Sequence, residues 1–198
     1  MNIGLYFGTY NPIHVGHLII ANHMVDYTEL DQVWLVVSPQ NPFKTKVTLL
    51  EDYHRLALIN IAIEGNKKLK ASNIEFDLPK PSYTIDTLAY IKEKHPEHSF
   101  SIIMGEDNLR SFHKWKNYEQ ILENHNIFVY PRVLTEQEDS STPAALKNHP
   151  KITIAKDAPL MKISASFVRN AIKDKKDVQY LLTEPVFTYL KEMHFYEK

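Results

Sequence analysis

The segment that most restricts the fold of this chain is residues 8–17, GTYNPIHVGH, which directly follows the apolar run at residues 3–7. The apolar run predicts a short strand, and the pattern from about residue 15 predicts a helix. Gly8 and Pro12 favour a tight turn between them. A strand that passes through a tight turn into a helix is typical of an α/β sheet.

Two histidines lie in the first turn of this predicted helix. His14 and His17 are three residues apart and therefore share one face. The free N–H groups and the positive dipole end of a helix start attract anions, and two imidazoles add further donors. A metal could also bind such a pair, but the chain has no cysteine and no third ligand stands nearby. We therefore expect a phosphate site here, with no protein-ligated metal.

The rest of the chain alternates apolar, β-branched runs with amphipathic segments. This alternation predicts a doubly wound parallel sheet with helices on both faces, in a single domain spanning residues 1–198. Ligands of such sheets sit at the carboxyl ends of the strands. The predicted strands are residues 2–7, 33–37, 69–71, 100–104, 127–130 and 152–155, and the predicted helices are about 15–27, 49–64, 84–94, 117–124, 166–173 and 185–193.

Composition limits the partners and the compartment. The formal net charge is −1, so no global attraction favours nucleic acid or an anionic membrane. No long apolar stretch predicts a membrane span, and no amino-terminal targeting pattern is present, so we expect a cytoplasmic protein. The polar segment 134–150 predicts a mobile surface loop. The sequence leaves a homo-oligomer open.

A second phosphate-type motif lies near the carboxyl terminus. Hydroxyls at residues 164 and 166 precede an amphipathic helix that carries Arg169, a pattern that by itself favours an ordinary helix cap and an exposed arginine. Together with the first motif, the same pattern also fits phosphate binding. The two segments resemble the (T/S)-x-x-P-x-H-x-G-H and I-S-x-x-x-x-R motifs of a nucleotidyltransferase superfamily, whose members join a phosphate to the AMP part of ATP. Asn11 stands where many members have Asp, and Ala165 where many have Ser.

The resemblance implies a Rossmann-like fold and roles for particular side chains. His14 and His17 would act at the α-phosphate of ATP, and Lys44, Ser164 and Arg169 would hold the departing pyrophosphate. Mg²⁺ would be held mainly by phosphate oxygens and water, as is usual for that ion. The residues implied for binding ATP are Gly8, Thr9, His14, His17, Gly105, Asp107, Ile163, Ser164 and Arg169.

Three further segments narrow the resemblance. GEDNL at residues 105–109 follows a predicted strand and by itself predicts a turn. Together with SYTIDTL at residues 82–88 and Trp115, it is similar to the pattern of the bacterial nicotinate-nucleotide adenylyltransferases. This family implies the substrates ATP and nicotinate mononucleotide. Tyr83 and Thr84 would contact the nicotinate carboxylate, and Trp115 would stack on the pyridine ring. Two alternatives stay open: a phosphopantetheine adenylyltransferase, and a nucleotide-binding sensor that has lost turnover.

Overall fold

A single parallel sheet forms the centre of the protein. The computed structural model describes residues 1–39, 49–132 and 143–198. Six parallel strands lie in the order β3-β2-β1-β4-β5-β6, which is the strand order of doubly wound nucleotide-binding sheets. The predicted α/β class is confirmed. The strands are β1 Asn2–Gly8, β2 Gln32–Val37, β3 Leu69–Ser72, β4 Ser99–Gly105, β5 Ile127–Tyr130 and β6 Ile152–Ile154.

Both faces of the sheet are buried. Successive side chains of a strand point to opposite faces, and in β2 Val33 and Leu35 enter one apolar cluster while Trp34 and Val36 enter the other. A strand covered on both sides needs apolar residues at every position, which is why β1, β2 and β4 appear in the sequence as continuous apolar runs. The predicted helices on both faces are therefore confirmed.

The helices divide between these two faces. Helices α1, α2, α7 and α8 pack with one cluster, and α3 to α6 with the other. The helices are α1 Val15–Tyr27, α2 Asp52–Ala62, α3 Thr84–Lys94, α4 Glu106–Ser111, α5 Tyr118–Asn124, α6 Ala144–Lys147, α7 Ala165–Lys173 and α8 Glu184–Glu192. Short 3-10 turns lie at Phe112–Lys114 and Gln179–Leu181.

Two local expectations were wrong. Residues 105–109 resemble a turn, yet helix α4 begins at Glu106, because Gly105 has the extended backbone of a helix start. The segment 134–150 was expected to be a surface loop. Residues 133–142 lie outside the described part, but the remainder contains α6, and Leu146 of that helix is buried against the sheet.

The strand order reverses between β1 and β4. The helix after β1 and the helix after β4 cross opposite faces of the sheet, so a crevice opens where their starts diverge. Gly8 and Gly105, the last residues of these two strands, stand at this crevice. Among the described residues no helix is long and apolar enough to cross a membrane.

Candidate active site

A cavity of about 490 Å³ occupies the crevice. It is built from both ends of the chain: the turn after β1 forms one wall, and the start of α7 forms the other. All nine residues that the resemblance implies for ATP line it, namely Gly8, Thr9, His14, His17, Gly105, Asp107, Ile163, Ser164 and Arg169. The structure thus brings together the two motifs that the sequence separates by about 150 positions.

The two histidines form a stacked pair on the wall of this cavity. Their ring centroids lie 3.7 Å apart and their planes are inclined by 23°. The backbone N–H of His14 donates to Nδ1 of His17 over 3.3 Å. A nitrogen that accepts carries no hydrogen, so the ring hydrogen of His17 is on Nε2. This contact orients His17 with a donor at the far side of its ring.

His14 is a buried imidazole with an unused polar atom. Its exposed fraction is 5%, and its Nδ1 has no hydrogen-bond partner among the described residues. Burial, with a smaller contribution from the positive charge of Arg132, lowers the pKa of His14 to about 4. The ring is therefore neutral at pH 7. A buried polar atom without a partner costs about 1–3 kcal/mol, and a ligand oxygen in the cavity would relieve that cost.

Glycine is required at two places in the turn by neighbouring rings. A Cβ on Gly8 would lie 2.9 Å from the ring of Tyr10, and one on Gly16 would lie 3.0 Å from the ring of His14. The close approach at both glycines is thus made by aromatic side chains of the same segment. Tyr10 itself has φ +45° and is buried, and its ring lies 5.0 Å from that of His17.

Arg55 of α2 braces the same turn from behind. Its side chain is fully buried and donates to the carbonyl oxygens of Thr9, Ser38 and Leu50, and it pairs with Asp52. Each of these carbonyls ends or begins a loop at the carboxyl edge of the sheet. One guanidinium therefore fixes three backbone segments around the cavity. The sequence contains no local sign of this role, because the partners are up to 46 residues away.

The second motif provides a helix start and a cation. Ser164 is the N-cap residue of α7, and its Oγ accepts from the backbone N–H of Phe167 over 3.2 Å. The expected cap is confirmed. Arg169 donates to the main-chain oxygen of Asn11 over 2.7 Å and to Oγ of Ser166 over 3.2 Å. The Arg169 guanidinium is therefore hydrogen-bonded to the first motif. It is not the exposed arginine that the pattern by itself favoured.

Arg132 is a further cavity residue, which belongs to neither sequence motif. It lies two residues after the end of β5 and lines the cavity. Its Nε lies 3.4 Å from a carboxylate oxygen of Asp107, and its backbone N–H donates to the buried Glu106. The available signal was position: a polar residue just past a predicted strand lies at the carboxyl edge of the sheet.

The three residues implied for the nicotinate end, Tyr83, Thr84 and Trp115, are not among the residues that line this cavity. Tyr83 and Thr84 form the start of α3, and Lys116 joins that start to the segment of Trp115. The Lys116 ammonium lies 2.8 Å from Asp86 and 4.9 Å from the centre of the Tyr83 ring. Trp115 is half-buried and packs on Phe112, with ring centroids 5.3 Å apart.

A buried carboxylate orders the approach to α3. Glu75 is 2% exposed and accepts from the hydroxyls of Ser82 and Thr87 over 3.0 and 2.7 Å. These bonds hold the residues just before and just after the Tyr83–Thr84 pair. The start of α3 is therefore fixed relative to the loop that follows β3.

Comparison with known proteins agrees with this geometry. A family model described as cytidylyltransferase-like matches residues 5–171. The probable nicotinate-nucleotide adenylyltransferase of Flavobacterium johnsoniae is 57% identical over 198 residues, 100% of both chains. That of Christiangramia forsetii is 54% identical over 98% of each. The chain belongs to the nicotinate-nucleotide adenylyltransferase family.

A solved structure of a similar enzyme shows the same fold as this family member. The nicotinic acid mononucleotide adenylyltransferase of Plasmodium falciparum, in complex with NaAD, aligns with a TM-score of 0.77. Its sequence is 19% identical, and the alignment covers 99% of this chain and 97% of that one. A second structure of the same protein, in complex with APC, aligns with a TM-score of 0.75. The Rossmann-like fold inferred from the motifs is thus confirmed.

The sequence also led to expectations about Lys44 and about metal ions. Lys44, expected near the phosphates, lies outside the described residues. Within residues 1–39, 49–132 and 143–198, the one group of three side chains spaced to share a metal ion is His95, Glu97 and His98. These residues precede β4 and so lie at the amino edge of the sheet, opposite the cavity. Asp107 is the one carboxylate among the described residues that line the cavity.

Proposed function

We propose that this protein transfers the adenylyl group of ATP to nicotinate mononucleotide, giving deamido-NAD and pyrophosphate. The observation that carries the proposal is the shared cavity: His14 and His17 from one end of the chain and Ser164 and Arg169 from the other line a single space. A chain 57% identical over its full length to a probable nicotinate-nucleotide adenylyltransferase supports the choice of acceptor.

The reaction is a direct displacement at the α-phosphorus. A phosphate oxygen of the mononucleotide forms a bond to this phosphorus, and the bond to the oxygen that bridges the α- and β-phosphates breaks. Pyrophosphate leaves with that electron pair. No protein nucleophile is needed, so positioning and charge stabilisation supply most of the rate.

The histidine pair is suited to donate hydrogen bonds. We assign His14 and His17 to the α-phosphate and to the bridging oxygen, where negative charge increases during the reaction. His14 is neutral, so it acts as a donor in one tautomer and carries no fixed charge. His17 presents its Nε2 hydrogen because Nδ1 is occupied by the His14 backbone. Fixed donors of this kind need no reorganisation when the charge develops.

We propose that the cations and the second helix start bind the leaving group. We assign Ser164 and Arg169 to the β- and γ-phosphates, together with Lys44. Arg132 adds a second guanidinium to the cavity wall, and we include it among the residues that neutralise phosphate charge. Gly8, Thr9 and Ile163 contribute backbone to the ATP cavity, and Gly105 and Asp107 would contact the adenosine end.

The adjoining surface at the start of α3 is assigned to the nicotinate ring. Trp115 would stack on the ring, and Tyr83 and Thr84 would donate to its carboxylate. Such donors would select an acid over an amide, because the amide would leave a donor of its own unpaired. These residues lie outside the main cavity, so the two substrates would occupy neighbouring spaces.

The residues of the cavity fit a Mg²⁺ ion only if it binds together with ATP. Mg²⁺ prefers oxygen ligands and usually keeps several waters, and a single carboxylate lines the cavity among the described residues. Phosphate oxygens would supply most of the ligands. Among the described residues that line the cavity, Asp107 is the one that offers a carboxylate oxygen. The ion would neutralise charge on the departing pyrophosphate.

The proposal also covers the domain organisation, the location and the partners of the protein. We propose that residues 1–198 act as one nucleotidyltransferase domain in the cytoplasm, with no nucleic-acid or membrane partner. A homo-oligomer is compatible with it.

The decisive experiment measures pyrophosphate release with ATP, Mg²⁺ and each candidate acceptor. We expect turnover with nicotinate mononucleotide and much slower turnover with nicotinamide mononucleotide. Turnover with phosphopantetheine alone would identify a phosphopantetheine adenylyltransferase. ATP binding without turnover on any acceptor would identify a nucleotide-binding sensor.

A further inference from the structure

The carboxyl-terminal segment reaches the phosphate turn from the side of α2. After α8, Phe195 packs against His54 of α2, with ring centroids 4.8 Å apart. The hydroxyl of Tyr189 in α8 also meets His54, at 3.4 Å from Nδ1. The ring contact of Phe195 holds the end of the chain against α2, and the next residue, Tyr196, meets the turn.

Tyr196 makes a hydrogen bond with Asn11. Its hydroxyl donates to Oδ1 of Asn11 over 2.6 Å, across 185 positions of sequence. The same oxygen accepts from the backbone N–H of Leu50 over 3.1 Å. Asn11 is 4% exposed, so both bonds are protected from water. Burial raises the pKa of Tyr196, which keeps the phenol protonated and able to donate at neutral pH.

Asn11 in turn holds a cation of the site. Its main-chain oxygen accepts from Nη1 of Arg169 over 2.7 Å, and Arg169 lines the cavity. A chain of contacts therefore runs from the phenol of Tyr196 through the side chain and carbonyl of Asn11 to the guanidinium. A rigid Asn11 gives the guanidinium a defined anchor, and positioning of this kind strongly affects reaction rates.

We propose that Tyr196 is a positioning residue of the nucleotide site, which fixes Asn11 and through it the Arg169 guanidinium that receives the phosphates of ATP. The carboxyl-terminal segment is then a working part of the site. This inference rests on the proposed function for the identity of the ligand.

The test compares two tyrosines of the same segment. Tyr196→Phe removes the hydroxyl that meets Asn11, and Tyr189→Phe, the matched control, removes a hydroxyl that meets His54. One hydrogen bond contributes about 0.5–1.5 kcal/mol, which corresponds to roughly 2- to 12-fold in affinity. We expect Y196F to raise KM for ATP by about 3- to 10-fold, with KM for the mononucleotide unchanged. Y189F should change neither value, and equal effects of the two variants would overturn the proposal.

A double-mutant cycle separates positioning from general stability. Asn11→Ala removes the acceptor, so adding Tyr196→Phe to it should weaken ATP binding less than about 2-fold further. Asn11→Asp keeps an oxygen acceptor and should stay within about 3-fold of the parent chain. If N11A and Y196F weaken ATP binding independently, so that their fold-changes multiply in the double variant, the inference is overturned.

Calorimetric titration with a non-hydrolysable ATP analogue distinguishes a failure of this inference from a failure of the proposed reaction. A parent chain that binds the analogue but turns over no acceptor would contradict the proposed reaction alone. A Y196F chain that binds the analogue as tightly as the parent would contradict the positioning role alone. Thermal unfolding of each variant confirms that the folded state is being compared.

Discussion

The rings of His14 and His17 stack with their centroids 3.7 Å apart, on the wall of a cavity that Arg132 also lines. His14 is the N-cap residue of α1 and His17 lies in its first turn, and the stacked rings present a single surface to a ligand. The positive charge of Arg132 and the burial of His14 both oppose a proton on this ring. His14 therefore differs from a solvent-exposed histidine in its response to pH.

The first prediction concerns stability against pH. The pKa of His14 is about 4 in the folded chain and 6.5 when unfolded. Between these values the unfolded chain binds the extra proton, so the folded state loses stability as pH falls from about 6.5 towards 4. The loss from this group is at most about 3 kcal/mol. Urea unfolding at pH 7.5 and pH 4.5 should show a smaller loss for His14→Gln than for the parent, and equal losses would contradict the assignment.

The second prediction tests His17 as a donor in the transition state. His17→Ala should lower kcat by about 10²–10³, because the Nε2 donor is lost where charge develops. Binding of ATP should change much less. His95→Ala, at the opposite edge of the sheet, serves as the control and should leave kcat unaltered. A normal kcat for H17A would remove this residue from the catalytic group.

The third prediction concerns the buried brace. Arg55→Met leaves the carbonyls of Thr9, Ser38 and Leu50 without their donor and should lower the free energy of unfolding by about 3–5 kcal/mol. Lys80→Met is the matched control, because Lys80 pairs with the same Asp52 but is 49% exposed. Exposed pairs contribute about 0–1 kcal/mol. Chemical denaturation measures both, and a similar small loss in the two variants would show that the brace is dispensable.

The fourth prediction separates the two substrates. Trp115→Ala should raise KM for nicotinate mononucleotide by about 10-fold or more, since one aromatic stacking contact contributes about 1–3 kcal/mol. KM for ATP should change little, because Trp115 is not among the residues that line the main cavity. Trp115→Phe retains a stacking face and should recover most of the loss. Equal increases in both KM values would indicate a packing role.

The positions of strands and helices were largely readable from the sequence. The predicted ranges 127–130, 15–27 and 84–94 match the observed elements, because apolar periodicity is a local property of the chain. The errors fall on α4 and α6, helices of six and four residues. Segments this short contain too few turns for a periodic pattern to stand out from a loop.

The candidate site was readable where its residues belong to one motif. His14, His17 and Ser164 were found because each lies at the start of a helix that its own neighbours specify, and Arg169 because it follows Ser164 within the same short motif. Arg132 belongs to neither motif, so the sequence offered only its position just past a predicted strand. The structure shows that this position places Arg132 on the cavity wall.

The sequence by itself determined the α/β class, the turn between β1 and α1 and the family, because these depend on the order and spacing of neighbouring residues. Only the tertiary structure decided which distant groups meet. Arg55 reaches Thr9 across 46 positions, and Tyr196 reaches Asn11 across 185. Such hydrogen bonds form because strand order and helix packing bring the groups together, and no repeat or spacing in the chain records them.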